Sequence, residues 1–66
     1  MGIVINGTFR DGAVPATVQA LVDALGLAGK RVAVELNGAV VPRSAYPGTA
    51  LVAGDRVEVV SAVGGG

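Results

Sequence analysis

Cysteine and histidine are both absent from this chain of 66 residues, and its five basic side chains are balanced by five acidic ones. Without cysteine there is no disulfide framework, no thiolate nucleophile and no thiolate-bound metal; without histidine the commonest general base and metal ligand is missing. Catalysis by a triad or by zinc is excluded, and no metal site is expected. A formal net charge of +0 provides no surplus of Lys and Arg for a phosphate backbone, so nucleic acid is not an expected partner. Long apolar runs are lacking as well. Mean hydropathy is high at +0.65, yet Gln19, Asp23, Arg31, Glu35, Arg43, Asp55, Arg56 and Glu58 break every apolar stretch well short of the ~18 residues that read as a membrane-spanning helix. The start, Met1-Gly2-Ile3-Val4-Ile5-Asn6, has no basic region of a signal peptide and carries Asn6 where a myristoylation signal needs Ser or Thr. A cytoplasmic protein with no membrane partner is the resulting expectation.

What is present is a dense apolar inventory cut into short pieces. Hydrophobic residues make up 52% of the chain, which a domain of this size needs, because folding buries only about 60% of the surface that its unfolded chain exposes. Ile3-Val4-Ile5 and Thr8-Phe9-Arg10 flank Asn6-Gly7, and Asn-Gly between apolar runs is the strongest short signal of a hairpin. Thr17 then precedes Val18, Leu21, Val22 and Leu25, the spacing of one helical face, and Gly26 follows as a C-terminal cap. Ala20 stands where a capping box would place Glu or Gln, so packing must hold this helix. From Arg31 the period drops to two. Val32, Val34 and Leu36 alternate with Ala33 and Glu35, and Asn37-Gly38 turns the chain into Ala39-Val40-Val41, which Pro42 stops. The turn-rich stretch Arg43–Gly48 leads to an expected minimal strand at Thr49-Ala50-Leu51, and Gly54-Asp55 turns into a last strand over Arg56–Ser61.

One helix covers one face of a sheet, so these elements predict an α+β domain built round a single core. The two periods nominate Ile3, Ile5, Val18, Leu21, Val22, Leu25, Val32, Val34, Leu36, Leu51, Val57 and Val59 for that core. The chain then ends in Val63-Gly64-Gly65-Gly66 directly after its last patterned strand. A glycine run at a terminus is, by itself, a flexible end or a linker.

Context makes more of it. The opening Ile3-Val4-Ile5-Asn6-Gly7, the Thr17-Val18-x-x-Leu21 helix start, Val34-Glu35-Leu36-Asn37-Gly38 with Val40-Val41-Pro42-Arg43, and Gly54-Asp55-Arg56-Val57-Glu58-Val59-Val60 before the diglycine together resemble the ThiS family, the sulfur carriers of thiamine biosynthesis. The resemblance covers essentially the whole chain. Tyr46 stands where relatives often carry another aromatic, and Gly64 occupies a variable position.

The resemblance implies a ubiquitin-like β-grasp domain over residues 1–63, with a mixed sheet of four to five short strands, one main helix packed on one face, and a flexible tail at 64–66. It also implies that the chain is not an enzyme and binds no cofactor of its own. A ubiquitin-activating-type adenylyltransferase, using ATP and magnesium, would join the carboxylate of Gly66 to AMP. A cysteine desulfurase relay would supply the sulfur that displaces AMP, leaving a thiocarboxylate, which would donate that sulfur at thiazole synthase. Gly64 and Gly65 would thread into the partners' active sites.

The chemistry of the residues is compatible with those roles. An α-carboxyl with an unperturbed pKa of ~3.3–3.7 is ionised at neutral pH and can attack phosphorus with no general base. Gly65 and Gly66, having no Cβ, permit the closest approach of a narrow passage's walls. Glu35 and Glu58 fall on outward strand positions, where solvation is the default, and Arg43 and Arg56 read as solvated charges. Val60 alternates with the core set and so points outward near the tail; with Val4, Ala33 and Ala62 it makes a candidate apolar patch for partner docking. Three other functions fit the same features: a sulfur carrier for molybdopterin or another metabolite, a ubiquitin-like tag joined to a target lysine, and an interaction module with an idle tail.

Overall fold

The computed structural model describes residues 1–61. In chain order the elements are β1 (Gly2–Ile5), β2 (Thr8–Asp11), α1 (Val18–Ala24), β3 (Val32–Leu36), β4 (Ala39–Val41), a 3-10 helix (Arg43–Gly48) and β5 (Arg56–Ser61). The strands form one sheet in the order β2-β1-β5-β3-β4. β1 runs parallel to β5, while the β1–β2, β3–β4 and β3–β5 pairs are antiparallel. The expected α+β architecture is thus present, with the last strand at the centre of the sheet.

Both hairpins close on Asn-Gly turns. Asn6 and Gly7 have φ of 50° and 82°, and Asn37 and Gly38 have φ of 50° and 87°, the two successive positive values that a type I′ turn requires. The helix begins where a side chain can satisfy its free amides: the Thr17 hydroxyl accepts from the Ala20 N–H at 3.1 Å. It ends in a Schellman arrangement, with the Leu27 N–H on the Val22 carbonyl and the Gly26 N–H on the Asp23 carbonyl, both at 3.0 Å. Seven residues is too short for a helix to persist alone. It is held because Val18, Leu21 and Val22 bury themselves against Ile3, Ile5, Val34, Val57 and Val59 of the sheet.

The core differs from the sequence expectation in instructive ways. Leu25, Val32 and Leu36 are only half-buried and pack at its margin. Their places are taken by Val41, which shares a face with Val34 across the β3–β4 pair, and by Tyr46 from the 3-10 helix. The Tyr46 hydroxyl donates to the Val32 carbonyl at 3.4 Å, so the ring is buried without stranding its polar end. The strand expected at Thr49–Leu51 is instead an isolated bridge between Ala50 and Thr17. The Val18 N–H donates to the Thr49 carbonyl at 2.9 Å, and the Leu51 N–H to the Ala16 carbonyl at 3.1 Å. This stretch pairs with the lead-in to the helix rather than with the sheet, because the 3-10 helix delivers it there.

Candidate functional site

Alternation in β5 puts Val57 and Val59 in the core and turns Arg56, Glu58 and Val60 to the face that the helix does not cover. On this outer face the register sets Val60 directly opposite Ala33, and Glu58 directly opposite Glu35. Val40 lies opposite Glu35 on the other side and is 73% exposed, and Val60 is 58% exposed. The face therefore carries two carboxylates side by side, bordered by apolar side chains from β3, β4 and β5.

The candidate docking residues are not all brought together. Ala33 and Val60 are cross-strand neighbours. Val4 also lies on the outer face, but its partner on β5 is Arg56, so Glu58 intervenes between it and Val60. Its neighbour on β2 is Phe9, which is 57% exposed. The outer face thus holds two apolar borders, Val4 with Phe9 and Ala33 with Val60 and Val40, separated by the charged middle of β5. Phe9 and Val40 are additions to the sequence-based patch, although each is implied by the alternation of its own strand. The opposition of Glu35 and Glu58 arises only when β5 docks on β3. Ala62, Gly64, Gly65 and Gly66 lie outside the described residues.

Two asparagines grip β5 from opposite sides. The Asn37 side-chain oxygen accepts from the Arg56 N–H at 2.9 Å, and its Nδ2 donates to Asp55 Oδ1 at 3.1 Å. Asp55 in turn accepts from the Val52 N–H at 2.9 Å, as befits a turn residue. Asn6 holds the strand further along, at Val59. Among the described residues there is no cavity, no group of His, Cys, Asp and Glu suited to a metal ion, and no helix long and apolar enough to cross a membrane. The described part of the molecule offers surfaces and a strand aimed at the chain's end.

A five-stranded mixed sheet folded about one helix, with the final strand central and parallel to the first, is a ubiquitin-like β-grasp domain. Comparison with known proteins agrees in detail. The structure aligns with the crystal structure of the thiamine biosynthesis protein ThiS from Geobacter metallireducens with a TM-score of 0.81 and 40% sequence identity, covering 100% of both chains. The ThiS family model matches residues 3–66. This chain belongs to the ThiS family. Among curated relatives, it is 44% identical over 66 residues to a thiazole synthase of Paramagnetospirillum magneticum and 41% identical to one of Magnetococcus marinus; it spans 20% of the length of each. It is also 38% identical to the uncharacterized protein ycf40 of Pyropia yezoensis, of which it covers 93%.

Proposed function

We propose that this protein is a sulfur carrier for synthesis of the thiazole ring of thiamine, with the carboxylate of Gly66 as its reacting group. The observation that carries this reading is the family match, which runs through residue 66 and so includes the glycine end, together with full-length similarity to a thiamine biosynthesis protein. The two thiazole synthases that contain a stretch similar to this chain support a synthase as the consumer of the sulfur.

In this reading the carboxylate oxygen of Gly66 attacks the α-phosphorus of ATP and expels pyrophosphate, on an adenylyltransferase that brings the ATP and magnesium. A carboxylate is a poor acyl electrophile; the acyl adenylate is a good one, because AMP is its leaving group. The outer sulfur of a persulfide from a cysteine desulfurase relay then attacks the acyl carbon and AMP departs; a second thiol of the partners attacks the donor sulfur of the resulting acyl disulfide, forming a disulfide there and releasing the thiocarboxylate. The chain contributes a reacting terminus and a surface for recognition, acting as a co-substrate rather than a catalyst. The apolar border formed by Val60 on β5, the strand that leads to the tail, with Ala33 on β3 and Val40 on β4 serves as a docking surface for these partners.

A chain lacking Gly66 tests the reading. It is expected to melt as the full chain does, since a terminal residue carries few contacts, and to form no adenylate with a cognate adenylyltransferase, ATP and magnesium. Adenylate formation by the truncated chain would contradict the role of the terminus.

A further inference from the structure

We infer that Asn6 is a positioning residue for the end of the chain: its carboxamide fixes β5 at Val59 and so sets where the terminal residues leave the sheet. β1 and β5 are in register only at Val4 with Arg56 and Ile5 with Val57. The Val4 N–H donates to the Asp55 carbonyl and the Asn6 N–H to the Val57 carbonyl, each at 2.9 Å. There β1 stops, because the left-handed φ of 50° at Asn6 turns the chain into its hairpin. An extended residue would continue the ladder with its own main chain; Asn6 continues it with its side chain. Its Nδ2 donates to the Val59 carbonyl at 3.0 Å, and its Oδ1 accepts from the Val59 N–H at 2.8 Å. A primary carboxamide carries the same donor and acceptor as a peptide group, so it adds one rung that the backbone does not reach.

The turn does not need asparagine for this. Positive φ is met equally by Gly and is tolerated by Asp, but Gly has no side chain and an ionised Asp has no donor. Only the carboxamide satisfies both main-chain groups of Val59 at once. On its other edge β5 is held by β3 as far as Ser61 opposite Val32, so with Asn6 in place the strand is gripped from both sides almost to the end of the described chain. A strand held on both edges presents the residues beyond it in one starting direction. Released on one edge it samples more directions, and a partner must then order it at the moment of binding. This role rests on the reading that a partner activates Gly66.

The test uses Asn6→Gly, which keeps the turn and loses both bonds, and Asn6→Asp, which keeps the acceptor and loses the donor. Should Asn6→Gly not fold, Asn6→Asp carries the comparison through KM, since it loses the bond to the Val59 carbonyl but keeps the acceptor for the Val59 N–H and so is expected to leave that amide protected. In Asn6→Gly, amide exchange at Val59 is expected to quicken by about tenfold, the loss of the one ordinary hydrogen bond that its N–H donates to the side chain. The KM for the carrier in adenylation is expected to rise by a similar factor with kcat unchanged. Thr17→Ala, which weakens the helix cap, is the control: it lowers the melting temperature while leaving KM at the wild-type value. Unchanged exchange at Val59 in a folded Asn6→Gly would overturn the anchor, and a wild-type KM in Asn6→Asp would show that the bond to the Val59 carbonyl does not position the strand. Faster exchange with a wild-type KM, or an equal rise of KM in Thr17→Ala, would overturn the positioning role. If the wild-type chain itself is not adenylated, the functional reading fails and the positioning role falls with it, while exchange at Val59 still reports on the anchor.

Discussion

Leu21→Ala probes the seam on which the whole domain depends. The helix has seven residues, fewer than the ~12–15 at which an isolated helix becomes even marginally stable, so its existence rests on Val18, Leu21 and Val22. Leu21 is the largest of these and only 2% exposed. Truncation removes three carbons, worth about 0.8 kcal/mol each in lost transfer energy, and a two-layer domain cannot collapse fully into the gap, which brings the loss to about 3–4 kcal/mol. At about 0.05–0.15 kcal/mol per residue a chain of this length holds roughly 3–10 kcal/mol in total, so the variant sits close to the unfolding threshold. Leu25, half-buried at the helix end, is the comparison, and Leu25→Ala is expected to lose about half as much. Urea unfolding followed by circular dichroism measures both, with an unchanged slope showing that the denatured state is not altered. A loss under about 1 kcal/mol for Leu21→Ala, or equal losses for the two variants, would refute the placement of the helix on the sheet.

Three further outcomes are expected. A Cβ on Gly2 would overlap the Arg10 carbonyl oxygen and lie 2.9 Å from the Asp11 Cα, so Gly2→Ala forces the first hairpin apart and costs about 1–3 kcal/mol; Gly48→Ala, where nothing lies within 4 Å of the added atom, should melt as the wild type does. Asn37→Asp replaces the donor to Asp55 with a second carboxylate and is expected to cost about 1 kcal/mol at low salt, less at high salt, because screening weakens repulsion between exposed charges. A salt-independent loss would show that repulsion is not the cause. Val60→Asp changes an exposed position and should leave stability within about 0.5 kcal/mol while weakening binding to the adenylyltransferase in calorimetry; unaltered affinity would remove Val60 from the docking surface.

The local grammar of the chain was legible because each signal reports on its own neighbourhood. Asn6-Gly7 and Asn37-Gly38 announce turns, Thr17 and Gly26 bracket the helix, and the alternation in Arg56–Ser61 separates Val57 and Val59 from Glu58 and Val60 before any pairing is known. Tyr46 was not legible as core, because it sits in a 3-10 helix with Pro47, where neither a period of two nor one of 3.6 applies. Thr49–Leu51 has strand composition, yet its partner is the segment before the helix, a choice made by tertiary placement. The features nearest to function depend on the most distant pairing. The grip of Asn6 on Val59 and the facing of Glu35 and Glu58 both require β5 to enter between β1 and β3, and no local pattern states that strand order. The glycine end, by contrast, was legible only as a motif whose meaning comes from the family.

The most direct measurement of the central claim is the intact mass of the chain after incubation with ATP, magnesium, a cognate adenylyltransferase and a cysteine desulfurase relay. Conversion to a species in which sulfur replaces one oxygen, confined by fragmentation to Gly66, is the expected result. Transfer of that sulfur at thiazole synthase rather than to a molybdopterin precursor would then fix the acceptor. High-mass conjugates in place of the exchange would mark a ubiquitin-like tag, and an unchanged mass with active partners would contradict the carrier outright.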